Sequence, residues 1–404
     1  MNRELRNWSS YPDRGLVDFM YRLPDSSQLN IAALSGLFNS TTNSYKYLWF
    51  LSILDILKRR DFDPTESVRF RELVIEMLAN AWYSHQYFKL SFGTQDRIAN
   101  KLDTLQLDIT NPILRFTDTD KQLLRQTISA QNIDDIVAFI SRYVPYRLIR
   151  PFFEQETRAI KDAQVNATII QLAKAEFNLK NPLYCFDAEE LKDCNAIILY
   201  PNWVKYFQDN YAIVWGWVSW EWLKYMQARN PNIPNVVNKL FMPQQRDSLT
   251  QQKNYWKTVL TNQEVNCIYS QTRLDPNQIS LDHYLPWSFV AHDRLWNLIP
   301  TLPSVNSAKS NHLPSPEYFD KFVALQHLGL TVSHQNYPRD KWLKYTESFI
   351  AELKVSQGED LLNLEILSHA YERTINPLIG LASLQGFSQG WVYDNEAKRS
   401  SNLP

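Results

Sequence analysis

Apolar residues at helical spacing run through most of this chain, and one proline-rich stretch late in it does not share the pattern. "STTNSYKYLWFLSILDILKRR" offers Thr42 or Asn43 as an N-cap, and its apolar run closes on Lys58, Arg59 and Arg60, charges that suit a helix C-terminus. "ESVRFRELVIEMLANAWYSHQYF" and "TRAIKDAQVNATIIQLAKAEF" carry the i, i+3, i+4 spacing of further helices. "RYVPYRLIRPFFEQE" breaks the pattern at Pro145 and Pro151. Residues 1–180 therefore read as a helical N-terminal domain.

The texture changes near Asn181. "NPLYCFD" and "NAIILY" have the length of hairpin strands, and "NWVKYFQDNYAIVWGWVSWEWLKYMQARN" returns to helix. Trp215, Trp217, Trp220 and Trp222 crowd that helix, either for packing between domains or as a base-stacking surface. Residues 181–250 are thus expected to form a mixed hairpin and helix connector. Past Pro314, "PEYFDKFVALQHLGL", "KWLKYTESFIAELK" and "LEILSHAYERTINPLIGLASL" predict a helical C-terminal cap over 316–404.

Composition removes several functions. Nine glycines in 404 residues leave no phosphate-cradling or dinucleotide fingerprint, which argues against ATP-driven or NAD-dependent chemistry. A net charge of −1 provides no general field for nucleic acid, so a polyanion site has to be local. Cys185, Cys194 and Cys267 form no C-x-x-C pair, hence no four-cysteine zinc site and no disulfide framework. The apolar run Tyr45–Leu57 holds Lys46 and Asp55 and is short of the roughly twenty residues a bilayer needs. With no hydrophobic leader visible in "MNRELRNWSSYPDRG", a cytoplasmic protein without membrane contact is expected.

The exceptional stretch is "EVNCIYSQTRLDPNQISLDHYLPWSFVAHDRLWNLIPTLPSVNSAKSNHLP", within residues 251–315. "NCIYS" and "QISLDHY" are predicted to pair as antiparallel strands about a turn at Asp275-Pro276-Asn277, followed by a long loop and a short helix that begins near Ser304 to Asn306. Such a ββα unit sets Asp282 and His283, at a strand end, beside residues that open the helix. Phosphodiester hydrolysis needs a base for water and a cation for the developing charge. Mg²⁺ takes hard oxygen ligands and keeps several waters, so the Asp282 carboxylate and the Asn306 amide oxygen suffice beside a phosphate. His283, on the opposite side of the strand, is free to be the base. Asn297 can orient it or tie down the loop.

On "LDHYLPWSF", "LWNLIP" and "VNSAKSNHLP", this stretch resembles the HNH (ββα-metal) endonucleases, in particular their zinc-free branch and the HNH domain of CRISPR RNA-guided DNA endonucleases. The resemblance implies a Mg²⁺-dependent DNA endonuclease, with Mn²⁺ able to substitute. It implies metal ligation by Asp282 and Asn306, catalysis by His283 and Asn297, and phosphate neutralisation by Lys309. Zinc-bearing members place C-x-x-C pairs where this chain has Cys267/Ser270 and Leu302/Val305, so no structural zinc is expected. The implied architecture is mainly α with a small α+β insertion: a ββα-metal nuclease unit between a large helical N-terminal region and a helical C-terminal cap.

Lys253, Lys257, Arg273, Arg294 and Lys309 face Glu264, Asp275, Asp282 and Asp293 in a nearly balanced nuclease segment, with Arg294 and Lys309 its candidate phosphate contacts. Further DNA contacts are expected from Arg142, Arg147 and Arg150, interleaved with Tyr143, Tyr146, Phe152 and Phe153, unless that cluster is a solvated helix face. Three functions remain open: a free-standing endonuclease, an antiphage effector gated by a protein or guide-RNA complex, and a non-catalytic nucleic-acid-binding subunit of such a complex.

Overall fold

A computed structural model describes residues 23–105, 107, 118–241 and 248–394. It is mainly helical with two small sheets, and it divides into two compact units. One comprises the described residues up to His85 together with Ser91–Arg229; the other comprises Gln86–Leu90 and the described residues from Asn230 onward. Among the described residues, no helix is long and apolar enough to cross a membrane.

In the first unit, helix α1 (Tyr45–Arg59) buries Trp49, Phe50, Ile53 and Leu54. It begins after Ser44, later than the expected caps, because Asp96 accepts from the Ser44 backbone N–H at 2.6 Å while Asn43 accepts from that of Tyr45. Lys58 and Arg59 stand in its last turn, as the sequence suggests. Strand β1 (Val68–Arg69) leads into α2 (Phe70–Trp82), and α3 spans Asp162–Ala175. The expected hairpin forms from β2 (Tyr184–Phe186) and β3 (Ala196–Leu199), but β1 adds to it, with Val68 opposite Ile197. This third strand ties the hairpin into the first unit, which runs on to Arg229, and a two-stranded hairpin gains stability from such an addition. Helix α4 (Tyr211–Arg229) packs Trp217 against Phe38 and Phe50, and Trp222 against Tyr47 and Tyr225, so these two tryptophans serve the core of their own unit.

The second unit contains α5 (Thr250–Asn262), β4 (Ser280–His283), β5 (Leu298–Thr301) and α6 (Pro303–Lys309). The cap follows as α7 (Phe319–Asn336), α8 (Arg339–Leu353) and α9 (Leu364–Leu384). The ββα order is present, but its strands are not the expected pair. Cys267–Ser270 turns on itself: Gln271 adopts φ +58° and returns its N–H to the Cys267 carbonyl at 2.9 Å. The partner of β4 is the later "LIPT", antiparallel, with Asp282 opposite Ile299 and His283 opposite Leu298. Pro300 is tolerated because β5 has β4 on one side only.

The cap and residues 264–314 share one core. Tyr284 stacks on Phe322 at 4.0 Å, and Tyr371 donates its hydroxyl to the Trp296 carbonyl at 2.9 Å. Gln326 donates toward the carbonyls of Leu295, Trp296 and Leu298, while Trp256 donates to Leu298. Cys267 and Val305 are fully buried in that core.

Candidate active site

Alternation along β4 sets Ser280 and Asp282 on one face and His283 on the other. Asp282 is 2% exposed. Its Oδ2 accepts from the Tyr269 hydroxyl at 2.8 Å and its Oδ1 from the Lys309 ammonium at 3.1 Å. Lys309 is fully buried at the end of α6 and also donates to the His283 carbonyl at 2.6 Å. Burial pushes the Lys309 ammonium down from its ordinary pKa while the Asp282 charge pulls it back. Burial, then the same carboxylate, holds the Tyr269 hydroxyl well above the usual range. Lys309 thus compensates Asp282 inside the protein, and does not stand outward toward phosphate as the sequence suggested.

Asn306 opens toward the same strand face, donating its amide N–H to the Ser280 hydroxyl at 2.8 Å. Its Oδ1 has no partner among the described residues. Asn297 is fully buried, and its side-chain amide bonds Leu285 and not His283. Its Oδ1 accepts from the Leu285 N–H at 2.8 Å and its Nδ2 donates to the Leu285 carbonyl at 2.9 Å, so the side chain replaces a peptide and prolongs the β4–β5 ladder past His283. Of the two roles open to it, this is the loop tie.

On the other face, His283 Nε2 meets Asp293 Oδ1 at 2.8 Å, and the second ring nitrogen has no partner among the described residues. His283 keeps 13% of its side-chain surface exposed. Asp293 was not legible as a partner, because the ten residues between them carry no fixed periodicity; Tyr269 and Ser280 likewise gave no signal. His292 lies against Trp296 and is driven down to about 4, by burial first and then by the neighbouring charges of His283 and Arg294. It is a neutral core histidine whose Nδ1 accepts from the Arg294 N–H. Arg294 pairs with Glu352 at 3.0 Å.

An imidazole fixed by a carboxylate can take a proton from a bound water, and an adjacent carboxylate and amide oxygen are the donors a hard cation accepts. Among the described residues no three His, Cys, Asp or Glu side chains cluster as a ligand set, so a cation here would depend on Asp282 and Asn306 together with water and substrate oxygens. The three described basic residues of the N-terminal cluster lie in the helical unit. Arg147 is tied to Asp162 and Asn166, and Arg150 to Thr157, whereas the Arg142 side chain is exposed beside Tyr143.

Compared with known protein families, residues 267–315 match the HNH endonucleases. No curated protein and no solved structure matches the chain.

Proposed function

We propose that residues 267–315 form the catalytic centre of a metal-dependent endonuclease that hydrolyses phosphodiester bonds in DNA. The observation that carries this reading is the Asp293–His283 pair, with one ring nitrogen unpartnered, one residue from the buried Asp282. His283 accepts the proton of the attacking water, and Asp293 fixes the ring. Asn297 holds the chain after β4 so that the imidazole keeps its aim. Asp282 and the unpartnered Asn306 oxygen suit Mg²⁺ or Mn²⁺, and such an ion, when bound, supplies charge stabilisation at the phosphate. Cys267, its Sγ 3.1 Å from the Thr301 hydroxyl, and Val305 are both buried in the core, which favours the zinc-free branch of the family.

A second reading rests on Lys309. Both Asp282 oxygens already have donors, which suits a centre that is closed until a protein or guide-RNA partner opens it, as in an antiphage effector, or a subunit that binds nucleic acid without cutting. Incubating the full chain with supercoiled plasmid separates these readings. Cleavage in Mg²⁺ or Mn²⁺ and none in EDTA is the expected result. Binding without cleavage in every metal would favour the second reading, and cleavage undiminished in EDTA would remove the metal from the account.

A further inference from the structure

The helical unit contains a cleft of 1330 Å³ whose walls come from four chain segments, around residues 27–46, 95–97, 139–158 and 179–181. Seven basic side chains line it against two acidic ones, Glu154 and Glu156. Arg147 is neutralised by Asp162 and Lys180 by Glu156. Lys46, Arg97, Arg142, Arg150 and Arg158 have no carboxylate partner among the described residues. Lys46 donates only to the carbonyls of Leu37 and Ser40, at 3.1 and 3.0 Å. Burial, reinforced by Arg150 and Arg147, lowers its pKa to about 8. Lys46, itself without a carboxylate partner among the described residues, thus stands beside two arginines, and an incoming anion would relieve that crowding of like charge.

Two further features say which anion. Tyr143 and Phe139 line the cleft while keeping 48% and 41% of their surface exposed, in a protein whose other large aromatics are mostly buried. Tyr143 lies under the Arg142 guanidinium at 5.1 Å, the alternation of flat ring and cation on which bases and phosphates are held. Asn181 adds a buried Oδ1 acceptor without a hydrogen-bond partner, which a base amine or sugar hydroxyl can satisfy. Pockets for one small molecule span about 300–1,000 Å³, so this cleft exceeds a single nucleotide's need. A duplex keeps its bases stacked inside and offers no face to Tyr143.

We propose that the cleft binds a short single strand of nucleic acid, with Arg97, Arg142 and Arg158 on its phosphates and Tyr143 stacked on a base. This goes beyond the nuclease reading and does not depend on it, because binding can be measured in EDTA, where metal-dependent cutting does not occur.

The test is fluorescence anisotropy of the full chain with labelled DNA and RNA strands of about ten nucleotides, and with a duplex of the same sequence. Either strand should bind more tightly than the duplex, the better one identifying the natural source. Exchanging Arg97, Arg142 and Arg158 together for Ala should weaken binding at least tenfold and flatten the log-affinity versus log-salt slope by about 2, from about 0.7 per lost contact. Their side chains make no hydrogen bond among the described residues, and a thermal melt matching the parent verifies folding. Tyr143→Ala should weaken binding by about 5- to 100-fold. Parent affinity and salt slope in the triple variant would overturn the proposal. So would displacement of the strand by a mononucleotide at equal concentration, which would describe a single-phosphate pocket.

Discussion

The nuclease segment and the cleft of the helical unit both gather charge, and they treat it in opposite ways. Around β4 the Lys309–Asp282 pair is buried and each charge is answered by the other, while Asp293 sits against the half-buried His283 and Glu352 against the exposed Arg294. Around Arg142 and Arg158 the charges are exposed and unanswered. Buried charge is costly unless paired, so it holds a fixed geometry; exposed charge costs the fold little and is available to a ligand. One region is built to hold atoms in place, the other to attract a polyanion.

Breaking the pair at its buried end should have the largest effect on stability. Lys309→Met leaves Asp282 charged and buried, and should cost about 3–5 kcal/mol in denaturant unfolding, whereas Arg142→Ala or Arg158→Ala should stay within about 0.5 kcal/mol. Asp282→Asn added to Lys309→Met should return much of the loss, because the uncompensated charge is then gone. Equal, small losses at both sites would erase the contrast.

Next comes Asn297. Replacing it by Ala strands the N–H and carbonyl of Leu285 in the core, and should cost about 2–4 kcal/mol. Wild-type stability in that variant would mean that the backbone finds other partners.

The smallest effect is read in acid. His292 is neutral in the fold down to about 4, while an unfolded histidine takes a proton near 6.5. Between those values the unfolded chain binds more protons than the folded one, so stability falls as pH falls through this window. His292 alone accounts for about 2–3 kcal/mol of that loss, and His292→Gln should flatten the curve between pH 6.5 and 4 relative to the parent. Parallel curves would place the imidazole in water instead of against Trp296.

Local pattern made part of this legible. The helices α1, α2 and α3, the 184–199 hairpin and the three cap helices follow from apolar spacing and turn residues, and residues 282, 283, 297 and 306 stand out by type and interval. What escaped depends on contacts between distant residues. β1 is two residues long and exists only because Ile197 and Ala196 pair with it. "LIPT" reads as loop because of Pro300, yet a two-stranded sheet leaves an edge where proline is harmless. Lys309 carries the composition of a phosphate contact, and only the fold shows that Asp282, from a strand 27 residues earlier, takes its charge. Arg147 and Arg150 belong to the same basic cluster as Arg142, but Asp162 and Thr157 hold them, so exposure and not composition separates the three.

The central claim is that His283, aimed by Asp293, is the base of a nuclease. It is tested most directly by comparing supercoiled-plasmid cleavage in Mg²⁺ by the parent and by His283→Ala, with DNA binding and melting temperature measured on the same samples. The account predicts that binding and melting stay near parental values while the cleavage rate falls on the order of 10²–10⁴-fold. A variant that folds, binds and still cuts at more than about a tenth of the parental rate would contradict it.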